Sequence, residues 1–202
     1  MIAIIDYGAG NLKSVKKAFD FLLVKSKVIS SGKEWNGFTR LVLPGVGAFG
    51  AAVQKLQTAG LMDKIRDWLA ADKPFLGICL GMQLLLEKSL ESKPESGLSF
   101  FKGNCLRFKQ GKVPQIGWNQ IHLQRPSKLV TGIESHTFFY FLHGYYVQLE
   151  DEKIITATTD YGVTYASIIE KGNIYAVQFH PEKSGEVGLK LLKNWVELFP
   201  AE

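Results

Sequence analysis

The sequence predicts an α/β fold, a single-domain mixed sheet sandwiched by helices, with a parallel first half and an antiparallel-rich second half. Short β-branched runs alternate with segments of helical periodicity through the first half, the pattern of parallel strands joined by crossover helices. From Cys105 onward, strand-like runs follow one another with only turns between them, the pattern of antiparallel pairing. An amphipathic segment near the C-terminus supplies a helix to cover the sheet. The chain has 202 residues, 46% of them hydrophobic, enough to bury one sizeable core. No repeat, low-complexity tract or linker interrupts it, so one domain over 1–202 is expected.

Residues 2–5 form the first strand of this scheme. Asn11 is placed to cap a helix whose apolar positions Leu12, Val15, Phe19, Leu22 and Leu23 recur at helical spacing, with Lys13, Lys16, Lys17 and Asp20 toward water. Val28-Ile29 and Leu41-Val42-Leu43 are two further strands. After the turn Pro44-Gly45-Val46-Gly47, the residues Val53, Leu56, Leu61, Ile65, Trp68 and Leu69 imply a helix broken near Gly60. Pro74-Phe75-Leu76 leads a strand into Cys79, and Met82, Leu85 and Leu86 mark the inner face of the helix that follows. Residues 89–99, rich in Glu, Ser, Lys, Pro and Gly, read as a surface excursion. The later strands are expected at 105–108, 116–123, 138–142, 145–149, 154–158, 166–170 and 174–179. Val187, Leu191, Leu192, Trp195, Val196 and Phe199 then line one face of the closing helix.

Composition narrows the functional classes. The formal charge is +5, but the lysines are scattered and form no long block, so nucleic-acid binding is not indicated. Two cysteines in such a chain do not make a disulfide framework, and a reducing, cytoplasmic setting is expected. The N-terminal residues lack the features of a secretory signal, and no apolar run approaches the roughly 18 residues of a membrane span. The four histidines and two cysteines show no metal-ligand spacing. Gly8-Ala9-Gly10 is a fragment of a dinucleotide fingerprint, but Lys13 stands where its third glycine belongs. No metal or other cofactor is expected.

Cys79 lies at the centre of Gly77-Ile78-Cys79-Leu80-Gly81. Small residues two positions either side let the chain turn sharply from strand to helix and present the side chain on an elbow. Far along the chain, His180-Pro181-Glu182 ends another apolar run. Alternation along a strand puts His180 and Glu182 on one side, and the carboxyl ends of strands in an α/β sheet are where ligands gather. Cys79 is thus expected as nucleophile, His180 as its base and Glu182 as the group that fixes the imidazole. The helix N-terminus after Cys79 is expected to favour the thiolate. Backbone amides from the Gly45-Val46-Gly47 turn and from Leu80 would form an oxyanion hole. Cys105, with no elbow around it, reads as a buried small hydrophobe. His122 and His136 read as surface residues, and His143, inside Tyr140-Phe141-Leu142-His143-Gly144-Tyr145-Tyr146, as a pocket wall.

These pieces resemble the class I, triad-type glutamine amidotransferases. Within that family the motif set is similar to the glutaminase subunits of imidazole glycerol phosphate synthase. The resemblance spans nearly the whole chain: Asp6-Tyr7-Gly8-Ala9-Gly10-Asn11, Leu43-Pro44-Gly45-Val46-Gly47-Ala48-Phe49, Gly77-Ile78-Cys79-Leu80-Gly81-Met82-Gln83, Val113-Pro114-Gln115-Ile116-Gly117-Trp118-Asn119 and Gln178-Phe179-His180-Pro181-Glu182-Lys183-Ser184. Gln115 and Gly144 stand where histidine and serine are frequent in such families. The resemblance implies a class I amidotransferase fold and hydrolysis of free glutamine through a thioester on Cys79. It further implies glutamine contacts from Gly47, Gln83 and the His143-Gly144-Tyr145 segment. Ammonia would pass to a separate (β/α)8-barrel cyclase subunit, held as a heterodimer, that makes imidazole glycerol phosphate and an aminoimidazole carboxamide ribonucleotide for histidine biosynthesis. Asn11, Trp118 and Lys183 are the interface candidates. A stand-alone γ-glutamyl cysteine hydrolase and a non-catalytic scaffold subunit are the alternative readings.

Overall fold

The computed structural model describes residues 1–8, 10–92 and 95–200. Ala9 of the opening motif and residues 93–94 of the expected excursion lie outside the described residues. The first half runs β1 (Ile2–Ile5), α1 (Leu12–Phe21), β2 (Ser26–Ile29), β3 (Arg40–Gly45), α2 (Phe49–Thr58), α3 (Met62–Ala70), β4 (Phe75–Cys79), α4 (Leu80–Gln83) and β5 (Leu86–Ser89). The second half runs β6 (Phe101–Arg107), β7 (Gln115–Gln120), β8 (His122–Leu123), β9 (Phe138–His143), β10 (Tyr145–Leu149), β11 (Ile155–Asp160), β12 (Thr164–Lys171), β13 (Ile174–Val177) and α5 (Gly185–Glu197).

Eight strands form the main sheet in the order β2-β1-β3-β4-β13-β12-β11-β8. Its pairings are parallel from β2 through to β13 and antiparallel from β13 through β12 and β11 to β8. The expected change of character is therefore present within one sheet. Both faces of the parallel part are covered, and alternate residues show it. Ala3 and Ile5 of β1, Phe75 of β4 and Ile174 of β13 pack with Leu56 and Ile65 of α2 and α3. Ile2 and Ile4, Leu76 and Ile78, and Tyr175 and Val177 pack with Phe19 of α1 and Leu191, Leu192 and Trp195 of α5. Strands buried on both sides carry the continuous apolar runs seen in the sequence. Two smaller sheets, β10-β6-β5 and the ribbon β7-β9, complete the fold.

Several expected elements are corrected. Helix α1 ends at Phe21, and Leu23 adopts φ +57 and is 92% exposed, so it leaves the apolar face assigned to it. Asn11 occupies the N-cap position of α1 but in a left-handed conformation (φ +76) with no capping hydrogen bond from its side chain, which goes elsewhere. The helix after Cys79 is a single turn, and Leu86 begins a strand. An all-apolar run such as Leu84-Leu85-Leu86 has no periodicity to separate the two states. The expected strand 116–123 is two strands in different sheets, β7 in the ribbon and β8 at the edge of the main sheet. The break near Gly60 (φ +65) does separate α2 from α3.

Candidate active site

Cys79 ends β4 at φ +54 and ψ −106, outside the regions that ordinary side chains favour. The glycines around it permit the bend. A Cβ on Gly81 would stand 1.8 Å from the carbonyl oxygen of Leu43, and one on Gly77 would stand 2.9 Å from that of Gly81. The elbow can close onto β3 only because both lack a side chain. Gly45 pairs with Cys79 across β3 and β4, and a Cβ there would meet the Tyr7 hydroxyl at 1.9 Å. That hydroxyl is buried and has no hydrogen-bond partner among the described residues. Burial, then the negative charge of Cys79 and of Asp6, pushes its pKa far up, so Tyr7 stays neutral.

His180 and Glu182 arrive by a different local route from the one expected. β13 ends at Val177, and His180 caps a short 3₁₀ turn, Pro181–Lys183. The turn, not strand alternation, brings the two side chains together. It is pinned on two sides. Ser184 Oγ donates to the carbonyl of His180 at 2.7 Å and accepts the amide of Tyr140 at 3.0 Å. Helix α5 presses on it closely enough that a Cβ on Gly188 would lie 1.9 Å from the Pro181 carbonyl oxygen. Phe179 stacks on Phe139 with centroids 4.0 Å apart, fixing the segment against β9.

His180 Nδ1 lies 2.8 Å from Glu182 Oε1, with both side chains essentially inaccessible to solvent. Asn11 Nδ2 donates to the same carboxylate oxygen. The left-handed conformation of Asn11 thus aims its amide at the carboxylate and away from its own helix. Nε2 of His180, on the other side of the ring, satisfies no full hydrogen-bond geometry, but the Cys79 thiol is near enough to bias its protonation. Burial opposes the imidazolium; Cys79 by charge and hydrogen bonding, and then Glu182, outweigh it and raise His180 from 6.5 to about 10. A cysteine beside an imidazole that prefers its charged form is the arrangement of an activated thiol.

Beside Cys79 opens a cavity of about 280 Å³. Of the residues singled out in the sequence, Val46, Gly47, Leu80, Gln83, His143, Gly144 and Tyr145 line it, while Gly45 sits one step behind, against Tyr7. The amide of Leu80 stands at the first helical position, directly after the nucleophile candidate, with no intrahelical acceptor. Because α4 is one turn long, the expected dipole assistance to the thiolate shrinks to these few local N–H groups. His143 is held neutral, its pKa lowered to about 4 mainly by burial, against the hydrogen bond to Tyr145 and with the charge of His180. Nδ1 meets the Tyr145 carbonyl at 2.8 Å, and because a carbonyl can only accept, that nitrogen carries the proton. Nε2 then faces the Tyr165 hydroxyl at 3.3 Å, which also reaches Gln115 Oε1 at 2.9 Å. His143 is a wall, not a proton carrier.

Two charged lining residues escape the sequence reading: Glu91 and Arg107. Glu91 belongs to the segment expected to be a surface excursion. That segment instead folds over the start of α2, where Glu91 Oε2 accepts the Phe49 amide at 2.7 Å and Ser92 Oγ the Gly50 amide at 3.0 Å. Nothing local to the sequence marks either residue. Cys105 is fully buried, as expected for a small hydrophobe. His122 contacts His136, centroids 4.8 Å apart, and lies 3.4 Å from Asp160, away from the cavity. Of the interface candidates, Trp118 is 56% exposed on the ribbon and packs edge-on to Tyr140, whose ring also carries Lys183 Nζ at 5.9 Å. Ile116 and Phe138 are exposed on the same ribbon.

The family described as "Glutamine amidotransferase class-I" matches residues 3–198. Two relatives are each named "Imidazole glycerol phosphate synthase subunit HisH". The one from Caldanaerobacter subterraneus subsp. tengcongensis is 46% identical over 199 residues, covering 98% of each chain. The one from Methanothermobacter thermautotrophicus is 47% identical over 202 residues, covering all of both. Among solved structures, one titled "Crystal structure of glutamine amidotransferase" superposes with a TM-score of 0.78 at 18% identity, covering 98% of each chain. "Structure of PurLQS from Thermotoga maritima" gives 0.79 at 16% identity, again over 98% of each chain. At such identities the structural likeness speaks for the fold.

Proposed function

The chain belongs to the class-I glutamine amidotransferases, and from that premise we propose that it is a single glutaminase domain, the ammonia-producing subunit of an imidazole glycerol phosphate synthase in histidine biosynthesis. The observation that carries the proposal is the Cys79 elbow facing both a cavity of about 280 Å³ and the buried His180–Glu182 pair. His180 takes the thiol proton at Nε2, and the thiolate attacks the side-chain carbonyl of bound glutamine. The developing oxyanion is received by the Leu80 amide and the Gly45-Val46-Gly47 turn. The tetrahedral species collapses as His180 returns its proton to the leaving nitrogen, releasing ammonia and leaving a γ-glutamyl thioester on Cys79. Water, deprotonated by the same imidazole, attacks the thioester; glutamate departs and the thiol is restored.

The cavity's chemistry suits a zwitterionic amino acid. Arg107 and Glu91 present opposite charges to a carboxylate and an ammonium, and Gln83 adds a polar contact. Glu91→Gln is expected to raise KM for glutamine about 10- to 100-fold with a smaller change in kcat, the signature of lost ground-state binding. Steady-state glutamate release is the measurement.

Ammonia is a nucleophile only when neutral, so its delivery favours a partner that excludes water. The proposed partner is a (β/α)8-barrel cyclase subunit, docked over the ribbon where Trp118, Ile116, Phe138 and Lys183 form an apolar surface with a cation. Trp118→Ala is expected to weaken the heterodimer about 10- to 100-fold, because buried tryptophans dominate such contacts; titration calorimetry with the cyclase checks it. The function itself is tested by glutamate release from the chain alone, with cyclase, and with cyclase plus its nucleotide substrate. Equal, negligible release in all three arms would reject it. A cytoplasmic location is proposed in keeping with two unpaired thiols. No helix among the described residues is long and apolar enough to cross a membrane.

A further inference from the structure

The side chain of Gln178 lies in the core, fully buried, between the side chains of two residues of the site, Cys79 and Gln83. Its Nε2 is 3.6 Å from Cys79 Sγ, and its Oε1 is 3.2 Å from Gln83 Nε2. Gln83 Nε2 in turn is 2.9 Å from the carbonyl oxygen of Tyr145. The direction of this chain follows from its far end. A carbonyl only accepts, so the Gln83 atom facing Tyr145 must be the NH2 group. The second proton of that NH2 then requires an acceptor on Gln178, which turns the Gln178 carbonyl to Gln83 and its NH2 to the sulfur. No alternative flip satisfies every contact.

We propose that Gln178 is a further catalytic residue, whose side-chain amide donates to the Cys79 sulfur and supports it as the anion while its carbonyl ties that sulfur to the cavity residue Gln83. The proposal rests on the assignment of Cys79 as nucleophile. A donor aimed at an atom favours that atom's charged form. It matters here because the other oriented neighbour of the sulfur works the opposite way: the Leu142 carbonyl lies 3.7 Å away and can only accept the thiol proton. With Leu142 holding the thiol form and α4 a single turn, Gln178 and His180 are the groups that draw the sulfur toward the thiolate. Further groups around the sulfur are the neutral Tyr7 from the end of β1, neutral His143 on β9, Tyr165 on β12 with its pKa raised, Glu182 behind His180, and Glu91 and Arg107 across the cavity. Replacing Gln178 with an apolar side chain alters none of their charges.

Gln83 leaves only its own carbonyl oxygen uncommitted, so toward a ligand it acts as an acceptor. A ligand N–H bound there lies on one continuous string of amides that ends on the sulfur. Occupancy of the cavity and reactivity of the thiol are thereby linked through Gln178.

The test uses the full chain, with rates of iodoacetamide alkylation at Cys79 followed against pH by mass spectrometry of the digested protein. Buried Cys105 serves as the internal reference. Gln178→Met keeps length and volume but removes the donor. Alkylation of Cys79 in this variant is expected to be about tenfold slower than in the wild type near neutral pH, with the difference closing as pH rises. Gln83→Met, which does not touch sulfur, releases the Gln178 amide from its fixed orientation and should shift the same profile in the same direction by less. An unchanged Gln178→Met profile overturns the proposal; if that variant does not fold, an unchanged Gln83→Met profile overturns it. Failure of the wild-type chain to label selectively at Cys79 would instead overturn the nucleophile assignment itself.

Discussion

Replacing Cys79 by alanine is expected to lower glutamine hydrolysis by a factor on the order of 10⁵ or more while leaving the chain folded. In the proposed mechanism every other catalytic member of the site acts through that sulfur. Without it His180 has no proton to take, and the residual capacity of the Leu80 amide and the Gly45-Val46-Gly47 turn can only polarise a carbonyl that nothing attacks. The fold should survive because the sulfur is a small part of the core around β4 and alanine keeps the same backbone requirement. The measurement is glutamate release by the heterodimer, beside the far-ultraviolet circular dichroism of the variant. If externally supplied ammonia still drives the cyclase in the mutant complex, the loss is confined to this chain. Residual glutaminase activity within tenfold of the wild type would move the nucleophile elsewhere.

The second large effect belongs to Glu182→Gln, expected to lower kcat by a factor on the order of 10³ with little change in KM. The amide oxygen can take the place of Oε1, accepting from both Asn11 and His180, so the 2.8 Å geometry can persist while the charge disappears. The imidazolium formed in each half-reaction then loses its buried carboxylate partner. The same change alters stability against pH. His180 is raised from 6.5 to about 10 in the folded chain. Its contribution is therefore complete below about pH 6.5 and is lost as pH rises through about 10. In the variant His180 loses one of the partners that raise it, so thermal melting followed from pH 6 to 10 should show a shallower decline than in the wild type.

What could be read from the chain, and what could not, divides along a physical line. The elbow was legible because Gly77 and Gly81 punctuate an apolar run where packing alone would not ask for glycine. Likewise His180-Pro181-Glu182 carries its chemistry within a few residues, and the parallel half follows from runs such as Ile2-Ala3-Ile4-Ile5 that are buried on both faces. Signals that depend on distant partners were not visible. Glu91 becomes a cavity residue only when residues 89–92 fold over the start of α2, a contact between segments 42 residues apart. Asn11 looks like an ordinary cap, and only the arrival of Glu182 from 171 residues away shows why its side chain turns aside. The division of 116–123 between two sheets has the same origin. Alternation persists through both pieces, and the partner strands, β9 for one and β11 for the other, decide the break. Gln178 stands in a motif whose sequence gives it no task, because its contacts are with Cys79 and Gln83, about a hundred residues away.

The bend at Cys79 has a consequence for the whole molecule. A non-glycine residue at φ +54 relaxes once the chain opens, so unfolding is favoured by about 1–3 kcal/mol at that single residue. Set against a total margin of about 5–15 kcal/mol for a domain, this joint is a built-in weak seam that packing on both sides must hold shut. Lineages adapting to heat would have to gain their reserve in the helices and the sheet, leaving this one hinge as taut as they found it.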